Sequence, residues 1–146
     1  MERRLAQGRP VGRTRGFTLL ELMVVLLILA LLASIAAPRV IKNLSRAKTQ
    51  TAKIEINALS EAVDAYHLDT GQYPSSQQGL KALLEAPSNT PSWDGPYIKK
   101  AESLVDPWGN PYLYQYPGHH GSFDLYTLGS DQKAGGTGDA QDVGNW

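Results

Sequence analysis

The sequence predicts an α+β protein in which one long N-terminal helix lies on a small antiparallel sheet. The apolar run from Phe17 to Ala37 contains a single charged residue. Apolar residues then recur at helical steps of three and four as far as about Leu68. Most of the prolines and glycines lie beyond residue 70, and short aromatic segments replace the helical periodicity there, which favours strands joined by turns.

Length, charge and cysteine content limit the classes of function. With 146 residues the chain has room for one small domain beside the apolar run. The formal net charge is zero, so no basic surplus indicates a nucleic-acid partner. The absence of cysteine excludes disulfides and thiol chemistry, so the small domain must gain its stability from another source.

The apolar run is long enough to cross a membrane, because its 21 residues span roughly 30 Å as a helix. Five arginines and one acidic residue precede it, and this asymmetry predicts a cytoplasmic N-terminus with the rest of the chain across the membrane. We expect a basic leader over residues 1–16, a spanning helix over 17–37, and a head over 38–146 that includes the second half of the long helix.

Glu21 lies inside the apolar run, and three interpretations of the run compete. A cleaved signal peptide usually has an apolar region of about 7 to 15 residues without an acid. A plain anchor leaves Glu21 unpaired at about 2.5 to 3.5 kcal/mol, unless the side chain reaches the lipid headgroups. Cleavage after Gly16 would instead make Phe17 a cationic N-terminus one helical turn from Glu21, in the same or a neighbouring subunit. Composition alone leaves these alternatives open.

The stretch RTRGFTLLELMVVLLILALLASIAAP resembles the class III signal of type IV pilins and pseudopilins. The residues that fall on this motif are Gly16, Phe17, Thr18, Leu19 and Glu21. The resemblance implies that a prepilin peptidase cuts between Gly16 and Phe17 and methylates the new amine. It also implies that the subunits assemble into a helical filament through this segment, with Glu21 in an assembly role.

The second half of the long helix is predicted to follow a kink at Pro38 and to end near Gly71, which serves as the stop. Its amphipathic pattern predicts one buried stripe. The expected members of that stripe are Val40, Ile41, Leu44, Ala47, Thr51, Ile54, Ala58, Ala62, Ala65 and Tyr66.

The remaining sequence predicts a short helix and a hairpin. Ser75 and Gln78 have capping-box spacing, and the helix should continue to Pro87. The segments PYLYQY (111–116) and FDLYTL (123–128) should pair as strands around the turn PGHHGS. Trp108, in the turn cluster DPWGNP, is expected to pack in the core.

Histidines supply the strongest candidate for catalysis, and the candidate is poor. His119 and His120 are adjacent on a turn, with His67 and Asp124 elsewhere in the chain. Neighbouring side chains on a turn point apart, and neither a nucleophile at catalytic spacing nor a phosphate-binding glycine loop occurs. We therefore predict a solvated turn and a protein that is not an enzyme.

The C-terminal tail places Asp131, Asp139 and Asp142 in a glycine-rich loop directly after the second predicted strand. Carboxylates and free carbonyls suit Ca²⁺, which takes six to eight oxygen ligands in flexible geometry. The EF-hand pattern is absent. From this chemistry alone, an unliganded polar loop remains as compatible as a calcium site.

The segments YPSSQQGLKALLEAP, DPWGNPYLYQYPG, FDLYTLGSD and GNW look like those of the major pseudopilins of the type II secretion system. In that family the loop holds one Ca²⁺ through two aspartate side chains and main-chain carbonyls. The resemblance implies that Asp131 supplies the first carboxylate and that Leu128 and Ser130 offer carbonyls. Either Asp139 or Asp142 would supply the second carboxylate.

The resemblance also implies the function: an inner-membrane subunit with a periplasmic head, polymerised into a filament that drives export of folded proteins across the outer membrane. Expected partners are identical subunits, minor pseudopilins, the prepilin peptidase and the inner-membrane secretion platform. One alternative is a type IV pilin or a minor pseudopilin; many type IV pilins carry a C-terminal cysteine pair, which this chain lacks. The other is a membrane-anchored hydrolytic or binding domain that uses His119 and His120.

Overall fold

The computed structural model describes residues 16–146, so the predicted leader lies almost wholly outside the described residues. One helix, α1 (Leu19–Thr70), is followed by three strands, β1 (Leu113–Gln115), β2 (Asp124–Thr127) and β3 (Val143–Gly144). Four short 3₁₀ segments lie between these elements: Gly79–Leu83, Ala101–Leu104, Gly129–Asp131 and Gly138–Ala140. The long helix and the small antiparallel sheet confirm the predicted fold class.

The chain divides into two compact units between Pro38 and Arg39. In the first unit every described residue is exposed, and its apolar side chains have no cover. α1 is long and apolar enough to cross a membrane, by length and composition. An apolar surface of this extent requires lipid or another protein around it.

The end of α1 follows the sequence signals. The helix stops at Thr70, and Gly71 takes a φ of +78°, a conformation that glycine adopts without a steric penalty. The Gly71 amide donates to the carbonyl of His67 at 2.8 Å, which satisfies a carbonyl in the last turn. Pro38 lies inside the helix, and the kink there stays a prediction.

The predicted buried stripe of α1 is wrong over most of its length. Val40, Ile41, Leu44 and Ile54 are all more than half exposed. The buried face instead follows a 4-3-4-3 spacing through Ala52, Ile56, Leu59, Val63 and Tyr66. Of the predicted members, Ala62 and Tyr66 are buried as expected. Several apolar faces were available in this helix, and the position of the head selects the one that is buried.

The core of the second unit joins this face of α1 to the rest of the head. Leu83 and Leu125 are fully buried, and Tyr112, Phe123 and Val143 are nearly so. These side chains form one apolar cluster with α1. Trp108 is partly buried against the cluster, so the prediction that it packs in the core is confirmed in part.

The sheet has the order β1-β2-β3, with both pairs antiparallel. The predicted hairpin is confirmed, with shorter strands than expected. Leu113 pairs with Tyr126 in this hairpin. Strand β3 was not predicted, because two residues are too few to show an alternating pattern. It forms because the tail returns to β2, where Val143 pairs with Thr127.

The short helix after Gly71 is a 3₁₀ segment rather than an α-helix. Its capping box is confirmed: the Ser75 amide donates to Gln78 Oε1 at 2.8 Å, and the Gln78 amide donates to Ser75 Oγ at 3.2 Å. Gly79 then takes a φ of +58°, which interrupts right-handed helical geometry directly after this turn. Leu80 and Leu83 are nevertheless buried in the core.

Candidate functional site

The start of α1 is fixed by Thr18. Its hydroxyl accepts a hydrogen bond from the Glu21 amide at 3.1 Å, and its carbonyl accepts one from the Leu22 amide at 3.1 Å. Threonine is a favoured N-cap, and T-x-x-E has capping-box spacing. Because the cap sits at residue 18, Gly16 and Phe17 precede the helix and are exposed. The predicted scissile bond is therefore free of helical hydrogen bonds.

Glu21 lies in the first turn of α1, where the partial positive charge of a helix N-terminus favours an acidic side chain. It is exposed, as are its apolar neighbours in the first unit. Glu21 is thus the one carboxylate in this exposed apolar segment, four residues after Phe17. Its pairing with the amine of a processed Phe17 stays a prediction.

The C-terminal loop, residues 128–142, begins and ends at neighbouring strands of the sheet. β2 ends at Thr127 and β3 begins at Val143, and these two residues pair with each other. The next residues outward, Leu128 and Asp142, therefore leave the same end of the sheet. Tertiary pairing thus brings together two of the candidate ligands that lie far apart in the sequence.

Within the loop the two 3₁₀ segments pack against each other. Gly129 takes a φ of +69°, and a Cβ built there would lie 2.5 Å from the Asp139 carbonyl oxygen. Only a residue without a side chain allows the two backbones to approach so closely. The loop is therefore a folded-back structure and not an open excursion of the chain.

The three aspartates of the loop have different partners. Asp131 Oδ1 accepts a hydrogen bond from the Lys133 amide at 3.1 Å, and Asp131 is exposed. Asp139 Oδ1 accepts one from the indole Nε1 of Trp108 at 3.2 Å. Asp142 Oδ2 accepts one from the Gly135 amide at 2.8 Å. Asp142 Oδ1 is buried and has no hydrogen-bond donor among the described residues.

The carboxylate oxygens of these aspartates are of the kind that an oxygen-preferring cation binds. A buried carboxylate oxygen without a donor is costly, and a bound cation removes that cost. Over residues 16–146 no three histidine, cysteine or acidic side chains come together as a group that could hold a metal. The three aspartates of the loop are therefore not gathered at one point in this part of the chain.

A buried carboxylate behind the loop was missed in the sequence. Asp106 is 4% exposed, and its Oδ1 accepts from the amides of Trp108 at 3.0 Å and Asn110 at 2.8 Å. Its Oδ2 accepts from the hydroxyl of Thr127. Asn110 Nδ2 in turn donates to the Gly129 carbonyl at 3.1 Å. The aspartate, proline and asparagine in DPWGN signal a turn, but nothing local shows that the carboxylate reaches β2.

His119 and His120 are exposed, as predicted for a solvated turn, and hydrogen bonds to Asp124 hold this turn in place. Asp124 is 3% exposed and accepts from the amides of His119 and His120, at 2.9 and 3.0 Å, and from His120 Nδ1 at 3.0 Å. Burial acts to raise the pKa of Asp124, but these hydrogen bonds together hold it below its ordinary value. His120 stacks on Trp146, and His67 stacks on Tyr73 elsewhere in the fold. These contacts give the histidines and Asp124 a structural role.

An exposed apolar helix behind a Gly-Phe motif, followed by a head with a small antiparallel sheet, defines a pilin-like subunit. A family model for the prokaryotic N-terminal methylation motif matches residues 12–37. A second model, for type II secretion system protein G, matches residues 39–146. The chain belongs to the type II secretion system protein G family.

Individual relatives agree with this assignment. The type II secretion system core protein G of Pseudomonas aeruginosa is 50% identical over 136 residues, covering 90% of this chain and 94% of that protein. The core protein G of Vibrio cholerae is 46% identical over 141 residues, covering 94% and 95% respectively. A crystal structure of the major pseudopilin from the type 2 secretion system of enterohaemorrhagic Escherichia coli has a TM-score of 0.59 and 35% identity, covering 71% of this chain and 87% of that one.

Proposed function

We propose that the protein is a non-enzymatic structural subunit of the type II secretion pseudopilus. In this role it is inserted in the inner membrane with a cytoplasmic N-terminus and a periplasmic head, and it polymerises through the first part of α1 into a filament that drives export of folded proteins. Membership of the protein G family supports the role. The observation that carries it is the wholly exposed apolar surface of residues 17–38, which requires lipid before assembly and neighbouring subunits after it.

Glu21 sets the register of that assembly. Removal of residues 1–16 leaves the amine of Phe17, which is largely cationic at neutral pH because an α-amino group has a pKa of about 7.7 to 8. In apolar surroundings an unpaired charge is costly, so the carboxylate and a neighbouring ammonium favour one relative position of the subunits. A neighbour displaced by one helical turn would leave both charges without a partner.

The partners follow from the same scheme. The prepilin peptidase requires access to the Gly16–Phe17 bond, and the exposed segment ahead of the Thr18 cap supports this. Identical subunits and minor pseudopilins would share the apolar helix surface. The inner-membrane platform would add subunits at the base of the filament.

Replacing Glu21 tests assembly. Glu21→Ala should be inserted and processed normally but should fail to form filaments, measured by recovery of sheared filaments and by secretion of a reporter exoprotein. Glu61→Ala is the matched control, because Glu61 is an exposed acid of the same helix in the second unit. Filaments of Glu21→Ala at the wild-type level, or a mature protein that still begins at Met1 by intact mass, would refute the proposal.

We also propose that the C-terminal loop binds one Ca²⁺. Asp131 and the carbonyls of Leu128 and Ser130 follow the end of β2, and Asp142 directly precedes β3, whose first residue pairs with the last residue of β2. The unpartnered buried oxygen of Asp142 favours this residue over Asp139 as the second carboxylate, because Asp139 has no buried oxygen without a partner among the described residues. The bound cation would supply the stabilisation that disulfides give other small extracytoplasmic domains.

Chelation tests the calcium site. Ca²⁺ at a hundred times its dissociation constant adds about 2.7 kcal/mol to the unfolding free energy, so EDTA should lower the melting temperature of the full chain in detergent. Asp131→Ala and Asp142→Ala should abolish this response. If the melting temperature of the wild type does not change with EDTA or added Ca²⁺, the proposal is refuted. If Asp139→Ala loses the response to EDTA while Asp142→Ala keeps it, Asp139 supplies the second carboxylate.

A further inference from the structure

We propose that Trp108 is a positioning residue for the calcium loop, which it holds through a hydrogen bond to Asp139. The inference rests on the proposed calcium site, and it concerns a residue outside the loop. The indole Nε1 of Trp108 and Asp139 Oδ1 are 3.2 Å apart and join residues separated by 31 positions. It is the one side-chain hydrogen bond recorded for Asp139 in the described part of the chain.

Trp108 can serve as an anchor because its own position is fixed from two sides. Its ring packs against the apolar core. Its amide donates to the buried carboxylate of Asp106, which also accepts from the hydroxyl of Thr127 at the end of β2. The turn that carries the indole is therefore tied to the strand from which the loop departs.

The contact reaches the part of the loop that decides the ligand geometry. Asp139 belongs to the 3₁₀ segment Gly138–Ala140, three residues before Asp142. The opposite 3₁₀ segment begins at Gly129, whose backbone lies against the Asp139 carbonyl. The hydrogen bond from Trp108 therefore keeps the two 3₁₀ segments together. It also limits the positions that Asp142 can take relative to the carbonyls of Leu128 and Ser130.

The indole also limits what Asp139 itself can do. Trp108 donates to one oxygen of the carboxylate, and that hydrogen bond would compete with coordination of a cation by both oxygens. In this arrangement Asp139 connects the loop to the turn that carries Trp108. Ordering the loop before the cation arrives reduces the entropy that binding must overcome.

The matched pair Trp108→Phe and Trp93→Phe tests the proposal. Each variant keeps an aromatic ring and removes one indole N–H. The N–H of Trp93 donates at 2.8 Å to the carbonyl of Ala82, away from the loop. In the full chain in detergent, titrated calorimetrically with CaCl₂, Trp108→Phe should weaken calcium binding about tenfold, as expected for a hydrogen bond to a charged acceptor. Trp93→Phe should bind like the wild type.

A second measurement separates positioning from general stability. Amide exchange of residues 132–142, measured in EDTA, should accelerate in Trp108→Phe and stay at the wild-type rate in Trp93→Phe. If the wild type binds no calcium, the calcium proposal fails, and this exchange measurement still decides whether Trp108 holds the loop.

A double-mutant cycle identifies Asp139 as the partner. If Trp108 acts through Asp139, the variant that combines Trp108→Phe with Asp139→Ala should bind calcium no more weakly than the weaker-binding single variant. Wild-type calcium affinity in Trp108→Phe, wild-type loop exchange in that variant, or fully additive losses in the cycle would overturn the proposal.

Discussion

Replacing Asp106 by alanine should be among the most damaging single changes to the head. The carboxylate accepts hydrogen bonds from the amides of Trp108 and Asn110 and from the hydroxyl of Thr127. Thr127 is 1% exposed, so water cannot replace the lost acceptor there. At about 1 kcal/mol for each of the three bonds, we expect Asp106→Ala to lower the unfolding free energy by about 3 kcal/mol. In a domain of this size that corresponds to roughly 15 °C in melting temperature.

The loss should be measured in EDTA by chemical denaturation, so that no metal contributes. Asp106→Asn is an informative intermediate: its carbonyl oxygen can still accept from both amides, but its NH₂ group cannot accept from Thr127, and we expect roughly a third of the alanine effect. Asp94→Ala is the control, because Asp94 is exposed. A loss below about 1 kcal/mol for Asp106→Ala would refute the claim that this carboxylate joins the turn to β2.

Three further changes probe other parts of the head. The pKa of Asp124 is lowered in the folded state, so its contribution to stability is present above the ordinary carboxyl value of 3.8 and is lost as the pH falls below it; Asp124→Asn should flatten the acid branch of a stability-against-pH curve. The hydroxyl of Tyr112 donates to Glu55 Oε2 at 2.6 Å, and Tyr112→Phe should cost roughly 1.5 kcal/mol in denaturant titrations. Burial, and then Glu55, raise the pKa of Tyr112, so the wild type should also lose stability above pH 10 more steeply than this variant. Leu83 is fully buried, and Leu83→Ala should destabilise the head by about 2 to 5 kcal/mol in the same titrations; an effect below 1 kcal/mol would contradict its place in the core.

Local patterns in the sequence determined the class of protein. The glycine that ends α1, the reciprocal pair Ser75 and Gln78, and the hairpin all follow from residues close together in the chain. Interactions over such distances depend little on the rest of the fold, so spacing and residue type were sufficient to predict them. The aspartate-rich tail was recognisable for the same reason.

Only the tertiary structure decided which face of α1 is buried, that the tail returns to β2 as a third strand, and how the loop is supported. Ala52 and Ile56 are buried while Val40 and Leu44 are exposed, although helical spacing treats these pairs alike. The contact between Trp108 and Asp139 joins residues 31 positions apart. Contacts of this kind depend on how the packed head orders segments that are distant in the chain, and neither residue carries a local mark of its partner.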